Sequence, residues 1–413
     1  MKTQWVALRR LVRIANGGTP TPESDNWNGE VPWATPVDLG RANGFSLNET
    51  ERNLTTKGAL SGSTIAPKGS VLLSTRAPIG YAAINDVPMA FNQGCKALIP
   101  RDGISAPFLR YSLAHVGPQL QSMGQGSTFL ELSASALASV KIPLSSTKVQ
   151  TQIAKFLDRE TAQIDELIGK QELLIKLLGE KRQAIITHAV TKGLNPDAPT
   201  KRSGAPWLGE VPAHWDVVGS RRIFRERGER ARPDDEQLTA SQVHGIISQA
   251  EFVATTGNRV TSVIKGEEIL KHVEPNDFVI SMRSFQGGLE LSRIQGKISS
   301  AYVMLVPTPG IDVEYFRWLF KSDRYISGLQ STSNLVRDGQ ALRFANFAQL
   351  RLPVPPIQEQ EAIDAWIREK LAVMDKLQKP VLLSLDLLRQ RRAALISAAV
   401  TGKIDIQEGG FEA

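Results

Sequence analysis

The chain has 413 residues, 49 Lys plus Arg against 42 Asp plus Glu, a net charge of +7 and a sequence pI near 9.4. Its 41% hydrophobic content suits two or three soluble globular domains, and its mild positive balance favours a polyanionic partner such as nucleic acid. A single cysteine, Cys95, excludes a disulfide scaffold and a cysteine zinc site; with no apolar leader and no run of about 18 uncharged apolar residues, a cytoplasmic chain without a membrane span is expected.

In chain order, Gly17 to Trp33 is rich in turns and proline, and Ser70 to Ser74 reads as a short buried strand after the turn Pro67-Lys68-Gly69. Lys96 to Ile99 is a second strand, Pro107 to Ala114 a short helix, and Ser122 to Ser127 a Gly/Ser loop. From Val149 to Thr191 the period changes. Leu157, Ile164, Gln171, Leu178 and Ile185 fall seven apart, with Ile153, Leu167, Leu174 and Ile175 filling in at threes and fours, which predicts a rod of about 60 Å. A stripe that long needs another helix to cover it. Thr191 to Pro212, rich in Gly and Pro and without a periodic apolar face, reads as a linker.

The second helix lies 210 positions on, where the seven-spaced series is Ile367, Met374, Val381, Leu388 and Leu395. Identities fall at Pro143/Pro353, Gln150/Gln360, Asp165/Asp375 and Arg182/Arg392, and Ala189-Val190-Thr191 matches Ala399-Val400-Thr401. Trp5 is echoed by Trp215. The globular parts match more weakly at an offset of 207: Ser74/Ser281, Arg76/Arg283, Gly80/Gly287, Arg110/Arg317. One unit of about 205 residues is thus written twice, a globular part followed by a long helix. The fold class expected is mixed α/β with tandem internal duplication, the two helices forming an antiparallel coiled-coil spacer with pseudo-two-fold symmetry. Leu157, Ile164, Leu178 and Ile185 would pack on Ile367, Met374, Leu388 and Leu395. Two basic heads on such a frame suit half-sites about 34 Å apart on duplex DNA. Lys379-Pro380 should kink or break the second helix, or mark a new start.

Over essentially its full length the sequence resembles the specificity subunits of type I restriction–modification systems. The resemblance rests on NGGTPTPESDNWNGEVPW, KGSVLLSTRAPIGYAAI and FNQGCKALIP in the first globular part, on the first rod and GAPWLGEVPAHW, and on VISMRSFQGGLELS, ISSAYVMLVP and LPVPPIQEQEAI in the second half. It implies target-recognition domains at 1–146 and 213–356, helical spacers at 147–192 and 357–402, a linker at 193–212 and a tail at 403–413. It also implies a subunit that binds double-stranded DNA while two partner modification subunits methylate adenine using S-adenosylmethionine; a restriction subunit is an optional further member. Two other readings remain: a coiled-coil adaptor with protein-binding heads, and an enzyme fusing recognition with methylation.

No catalytic, cofactor or metal constellation is present. There is no Asn/Asp-Pro-Pro-aromatic tetrapeptide and no GxxxxGK[ST], GQGS is a lone G-x-G, and His115, His188, His214, His244 and His272 lack metal-ligand spacing. DNA contact is expected on loops, because the rods spend their apolar faces on each other. Arg76 and Arg283, beside Ser74 and Ser281, either fork onto guanine or phosphate or serve as structural salt bridges. Gln125, Ser127 and Thr128 in the first half, and Ser284, Gln286, Asn334, Arg337 and Gln340 in the second, either read base edges or are ordinary solvated residues. The arginine run from Arg221 to Arg232 either meets phosphates or, as the interleaved Glu226 and Glu229 favour, forms a solvated charge-mixed face, and Lys181, Arg182, Arg391 and Arg392 read as partners of helix C-terminal carbonyls.

Overall fold

The computed structural model describes residues 4–42, 46–125, 130–257, 269–282, 284–332, 342–404 and 406. The chain divides into two units, and the division cuts both long helices. Unit 1 comprises Met1–Glu172 with Leu382–Ala413, and unit 2 comprises Leu173–Val381. The long helices span Thr147–Lys192 and Ile357–Val400. Pro380 lies inside the second, which continues through it as one helix.

In unit 1 a five-stranded sheet runs Val12–Asn16, Cys95–Pro100, Val71–Ser74, Ala82–Asn85, Ser46–Leu47 in spatial order. Val71, Leu72 and Leu73 are fully buried, which is why that strand reads as a continuous apolar run. It starts at Gly69, whose positive φ of 82° closes the Pro67-Lys68-Gly69 turn and whose N–H bonds Asn85 O. A second, four-stranded sheet places Trp27–Ala34 between Asn53–Leu54 and Met89–Phe91, with Thr64–Ala66 outside. The core above the larger sheet is aliphatic, from Leu8, Leu11 and Val12 to Leu137 and Ile142. The helix segments close a further cluster: Ile153, Phe156 and Leu157 meet Ile396, Ala399 and Val400 over Phe108 and Tyr111 of the Ala106–His115 helix. Arg392 grips Asp165 with two bonds of 2.7 and 3.1 Å, and Arg389 reaches Glu172 at 2.8 Å.

In unit 2 a four-stranded sheet runs Phe224–Glu226, Val303–Pro307, Phe278–Ile280, Glu290–Leu291. Its core is aromatic: Phe224 meets Phe278, Phe316 and Phe347 edge to face at 5.3 to 5.7 Å. Ile186, Ala189 and Val190 join Ile363, Ile367, Leu371 and Met374 in that same core, and Arg182 pairs with Asp375 at 2.5 Å.

The foot of each long helix carries a glutamine that is 1% exposed. Gln150 accepts from Ser105 N and donates to Gly103 O and Ser145 O; Gln360 accepts from Asp312 N and donates to Pro355 O. Each amide thereby satisfies backbone groups that a buried helix end would otherwise leave orphaned. Of the residues expected to pack between helices, Leu157, Ile164, Ile367 and Met374 are buried, while Leu178, Ile185, Leu388 and Leu395 are half-buried.

Four sequence expectations change. The segment 193–212 is not a free linker: Thr200–Arg202 pairs with Glu210–Pro212, and Ala205, Leu208 and Val211 are buried in the unit 2 core. Trp215 is fully buried but Trp5 is 47% exposed. Trp5 lies within the strand Gln4–Ala7, whereas Trp215 precedes the strand Asp216–Gly219 and is buried in the unit 2 core. Arg182 and Arg392 meet carboxylates on the other helix rather than terminal carbonyls. Within the arginine run, Arg227 is no solvated residue: it holds Asp277 by two bonds of 2.7 and 3.0 Å.

Asp277 is 1% exposed, so its loss strands a buried guanidinium. Asp277→Ala should cost about 3–5 kcal/mol in urea unfolding. Arg232→Ala, removing a side chain 47% exposed, should cost under about 1 kcal/mol.

Candidate functional site

In unit 1 the strand Val71–Ser74 ends at a loop that returns at Tyr81. Ser74 is fully buried; its hydroxyl donates to Pro78 O at 2.7 Å and accepts from Tyr81 N at 2.9 Å. Both bonds tie the loop back onto the strand end. Arg76, two residues on, is half-exposed, and its Nε donates to Glu131 Oε2 at 3.0 Å. Gln125 exchanges two backbone hydrogen bonds with Glu131, so Arg76 and the exposed Gln125 stand on the same acidic residue. Ser127 and Thr128 lie outside the described residues.

The same corner holds Lys96, which sequence reasoning took only as the start of a strand. It is 5% exposed, its ammonium donates to Asn16 Oδ1 at 3.2 Å, and it lies within electrostatic range of Glu131 and Arg76. Burial pushes its pKa below the ordinary lysine value; Glu131 opposes that shift and Arg76 adds to it. A charged amine sunk in a strand and given one amide acceptor is a local cost without structural return. The sequence signal was present, a lysine inside the apolar run CKALI, but periodicity alone assigns it no role. Cys95 next to it is a buried core thiol whose ionisation burial suppresses.

In unit 2 the corresponding strand end carries Ser281 and Ser284. Ser284 is 1% exposed and its hydroxyl accepts from Ser281 N at 2.8 Å, so it caps a turn rather than facing outward. Gln286 is exposed and lines a cavity of about 620 Å³ together with Gln242, His244, Arg293, Arg317 and Lys321. Most cations there are engaged: Lys321 bonds Glu290 and Gly287 O, and Glu314 receives Arg293, Arg317 and Arg368. Glu290, buried, has its pKa raised by desolvation, against the pull of Lys321. Gln242 and His244, on the turn between Leu238–Ser241 and Gly245–Ser248, were missed because a polar hairpin tip has no signature beyond polarity. Arg283, Asn334, Arg337 and Gln340 lie outside the described residues.

Each unit thus presents short polar and cationic side chains at a sheet end, seated on acids. Such an arrangement can hydrogen-bond an anionic polymer or base edges. Among the described residues no cluster of three or more His, Cys, Asp or Glu could hold a metal ion, and no helix is long and apolar enough to cross a membrane.

Residues 2–176 match the family described as type I restriction modification DNA specificity domain. The chain is similar to the MjaIX specificity subunit of Methanocaldococcus jannaschii, at 36% identity over 174 residues, 41% of this chain and 40% of that protein. It is similar also to the EcoR124I/EcoR124II specificity subunit of Escherichia coli, at 27% identity over 38% of this chain and 41% of that protein. The matched stretch therefore spans about two fifths of the length of these relatives. A solved chain described under complex assembly and conformational transition of the type I R-M system superposes with a TM-score of 0.60 at 14% identity, covering 98% of both chains, which shows the fold. The resemblance seen in the sequence thus extends to the family match of residues 2–176 and to the fold of the full chain.

The buried amine makes a prediction. Lys96→Met should raise the urea midpoint of unit 1 at neutral pH. The folded pKa lies below the unfolded one, so the burial penalty is full below the folded value and fades as pH rises toward 10.5; the gain from Met should shrink over that window.

Proposed function

We propose that this chain is the non-catalytic, cytoplasmic DNA-specificity subunit of a type I restriction–modification complex. Each globular head reads one half of a bipartite duplex site. Modification subunits, two per complex, dock on it and methylate adenine N6 with S-adenosylmethionine, which this chain does not itself bind; restriction subunits join where the system cleaves. The observation that carries the reading is the match of residues 2–176, a head with the first part of its rod, to the specificity domain.

The tandem arrangement belongs to this proposal. Its support is internal: both heads order their principal strands alike, both rods stand on a buried glutamine, and the ion pairs Asp165–Arg392 and Arg182–Asp375 use residues that the repeat exchanges. In unit 1, contacts descend the second helix as they ascend the first, Asp165 to Arg392 and then Glu172 to Arg389, which supports antiparallel spacers. Arg76, Gln125, Gln286 and the loops beyond them are the proposed base and phosphate contacts; Ser74 and Ser284 are withdrawn from that role. The adaptor and fused-enzyme readings are not favoured, since the relatives carry specificity-subunit names.

The helix segments also offer partner surfaces. In unit 2, Leu173, Leu174, Leu177, Val373 and Leu377 are 41–56% exposed; in unit 1, Leu167, Leu382, Leu383 and Leu387 are 46–61% exposed. Leucines left outward on paired helices suit added helices from a partner. Leu174→Glu with Leu377→Glu should leave duplex binding and stability within about 0.5 kcal/mol of the parent, yet abolish co-purification of the modification subunit.

The decisive experiment is N6-methyladenine mapping of the host genome with this gene intact and then deleted, the modification gene remaining expressed. Loss of one split motif is expected, and exchanging residues 1–146 should alter one half of it. An unchanged methylome overturns the reading.

A further inference from the structure

The turn-rich segment from Gly17 to Trp33 has a purpose that the candidate DNA contacts above do not include. Its carbonyls pin two indoles: Trp27 Nε1 donates to Thr21 O at 2.9 Å and Trp33 Nε1 to Gly18 O at 3.1 Å. The rings meet edge to face with centroids 5.1 Å apart. Both indole N–H groups are thus spent on local structure, and what remains for recognition is the ring face.

Arg52 occupies that face. Its guanidinium carbon lies 3.8 Å from the Trp27 centroid and 5.6 Å from that of Trp33. Such a stack fixes the plane of the guanidinium while its edge N–H groups stay free, so less entropy is lost when they bind. Among the described residues the Arg52 guanidinium makes no ion pair or hydrogen bond, although neighbouring cations are neutralised: Arg41 by Glu51 at 2.6 Å and Lys57 by Asp25 at 3.2 Å. The stacked arginine is exposed and borders an open depression of about 450 Å³ walled by Thr19, Pro20, Pro22, Ser24, Trp27 and Asn28, with no acidic side chain in the wall.

The backbone is shaped to present these groups. Trp27 and Val31 both register against Leu54, a bulge that throws Asn28 outward with φ of 62°. At Gly29 a Cβ would meet Thr55 Cα at 2.5 Å, so only glycine lets the bulge lie this close to the neighbouring strand. The niche also borders the Arg76 corner. Thr19 Oγ1 donates to Gln93 Oε1, and a Cβ on the next residue, Gly94, would stand 3.6 Å from Arg76 Cδ.

We infer that the Trp27–Arg52 niche is a clamp for a backbone phosphate of duplex DNA, lying beside the loops that read bases. The inference rests on the specificity-subunit reading and adds to it a contact that positions the duplex without reading sequence. An anion is indicated by the unneutralised, pre-oriented guanidinium and the acid-free wall. Short hydroxyl and amide groups at Thr19, Ser24 and Asn28 are the kind that contact phosphate oxygens. A stacked base is not indicated, because Arg52 already covers the open indole face.

The test measures binding of the full chain to a labelled duplex of scrambled sequence across a salt series, for the parent, Arg52→Gln and Arg52→Lys. Arg52→Gln should weaken binding uniformly and lower the slope of log affinity against log salt by about 1. Arg52→Lys should restore the slope while binding more weakly than the parent, having charge without the flat stack. The split motif methylated in cells carrying Arg52→Gln should keep its sequence. An unchanged slope for Arg52→Gln overturns the clamp, as does a change in the methylated motif, which would make Arg52 a base reader. A parent protein with no salt-sensitive DNA affinity fails differently, because it removes the specificity-subunit reading itself.

Discussion

The contact on which the architecture depends is the burial of Ile396, Ala399 and Val400 against Ile153, Phe156 and Leu157 over Phe108 and Tyr111. An isolated amphipathic helix is marginal in water, and its stability comes from the face it buries. The first rod meets that requirement in unit 1 only by recruiting the last turns of the chain. In unit 2 the reverse holds: Ile186, Ala189 and Val190, at the end of the first rod, are buried with the head that follows them and the beginning of the second rod. Each unit is therefore completed by a helix segment that continues into the other. Contacts this distant in sequence carry a large loop-closure cost before they return any stability, so the first head cannot be finished until the last helix exists.

Polar groups reinforce the closure at both levels. Asp165, Asp375, Arg182 and Arg392 lie where the stripes meet, and their pairing selects register more than it adds stability, because such pairs are partly solvated. The buried glutamines act at the feet of the rods, where backbone groups of head and helix would otherwise go unpaired. Within this frame the heads are free to differ in substance. The first packs aliphatic side chains and the second a set of edge-to-face phenylalanines, yet the principal strands follow the same order. Layer pattern sets strand order, and interior chemistry can drift beneath it as long as volume is filled.

Much of this was legible in the residues because periodicity is a property of long stretches. The rods and the strand at Val71–Leu73 each draw on many positions at once. What was not legible depends on single hydrogen bonds. Ser74 and Ser284 look like ligand-facing hydroxyls, and only the partners Pro78 O, Tyr81 N and Ser281 N reveal them as turn ties. The segment after the first rod lacked an apolar period, yet Ala205, Leu208 and Val211 suffice to seat a hairpin, since three well-placed side chains need no period. Trp5 and Trp215 coincide in sequence, but one sits in a strand and the other just before one, seated in the unit 2 core, a difference no alignment of residue types reveals. Pro380 removes one helical N–H, a loss local enough for the helix to continue around it.

The distribution of charge bears on how such a protein discriminates. An excess of seven positive charges over 413 residues is modest, and many arginines and lysines are neutralised by close acids, as at Arg76–Glu131 and around Glu314. A cation already seated on a carboxylate gains less from any passing phosphate, because binding must displace or share that partner. It still rewards a ligand that offers the right acceptor geometry. On the proposed reading, the acid beside Arg76 would lower affinity for DNA in general more than affinity for the right sequence, the ratio on which a reader of rare sites depends. Residual affinity for any duplex must then come from cations without acids. Such cations need not vary with the sequence read, and a rigid scaffold such as the Trp27–Trp33 pair can hold one of them, Arg52, in place while the loops beside it diverge.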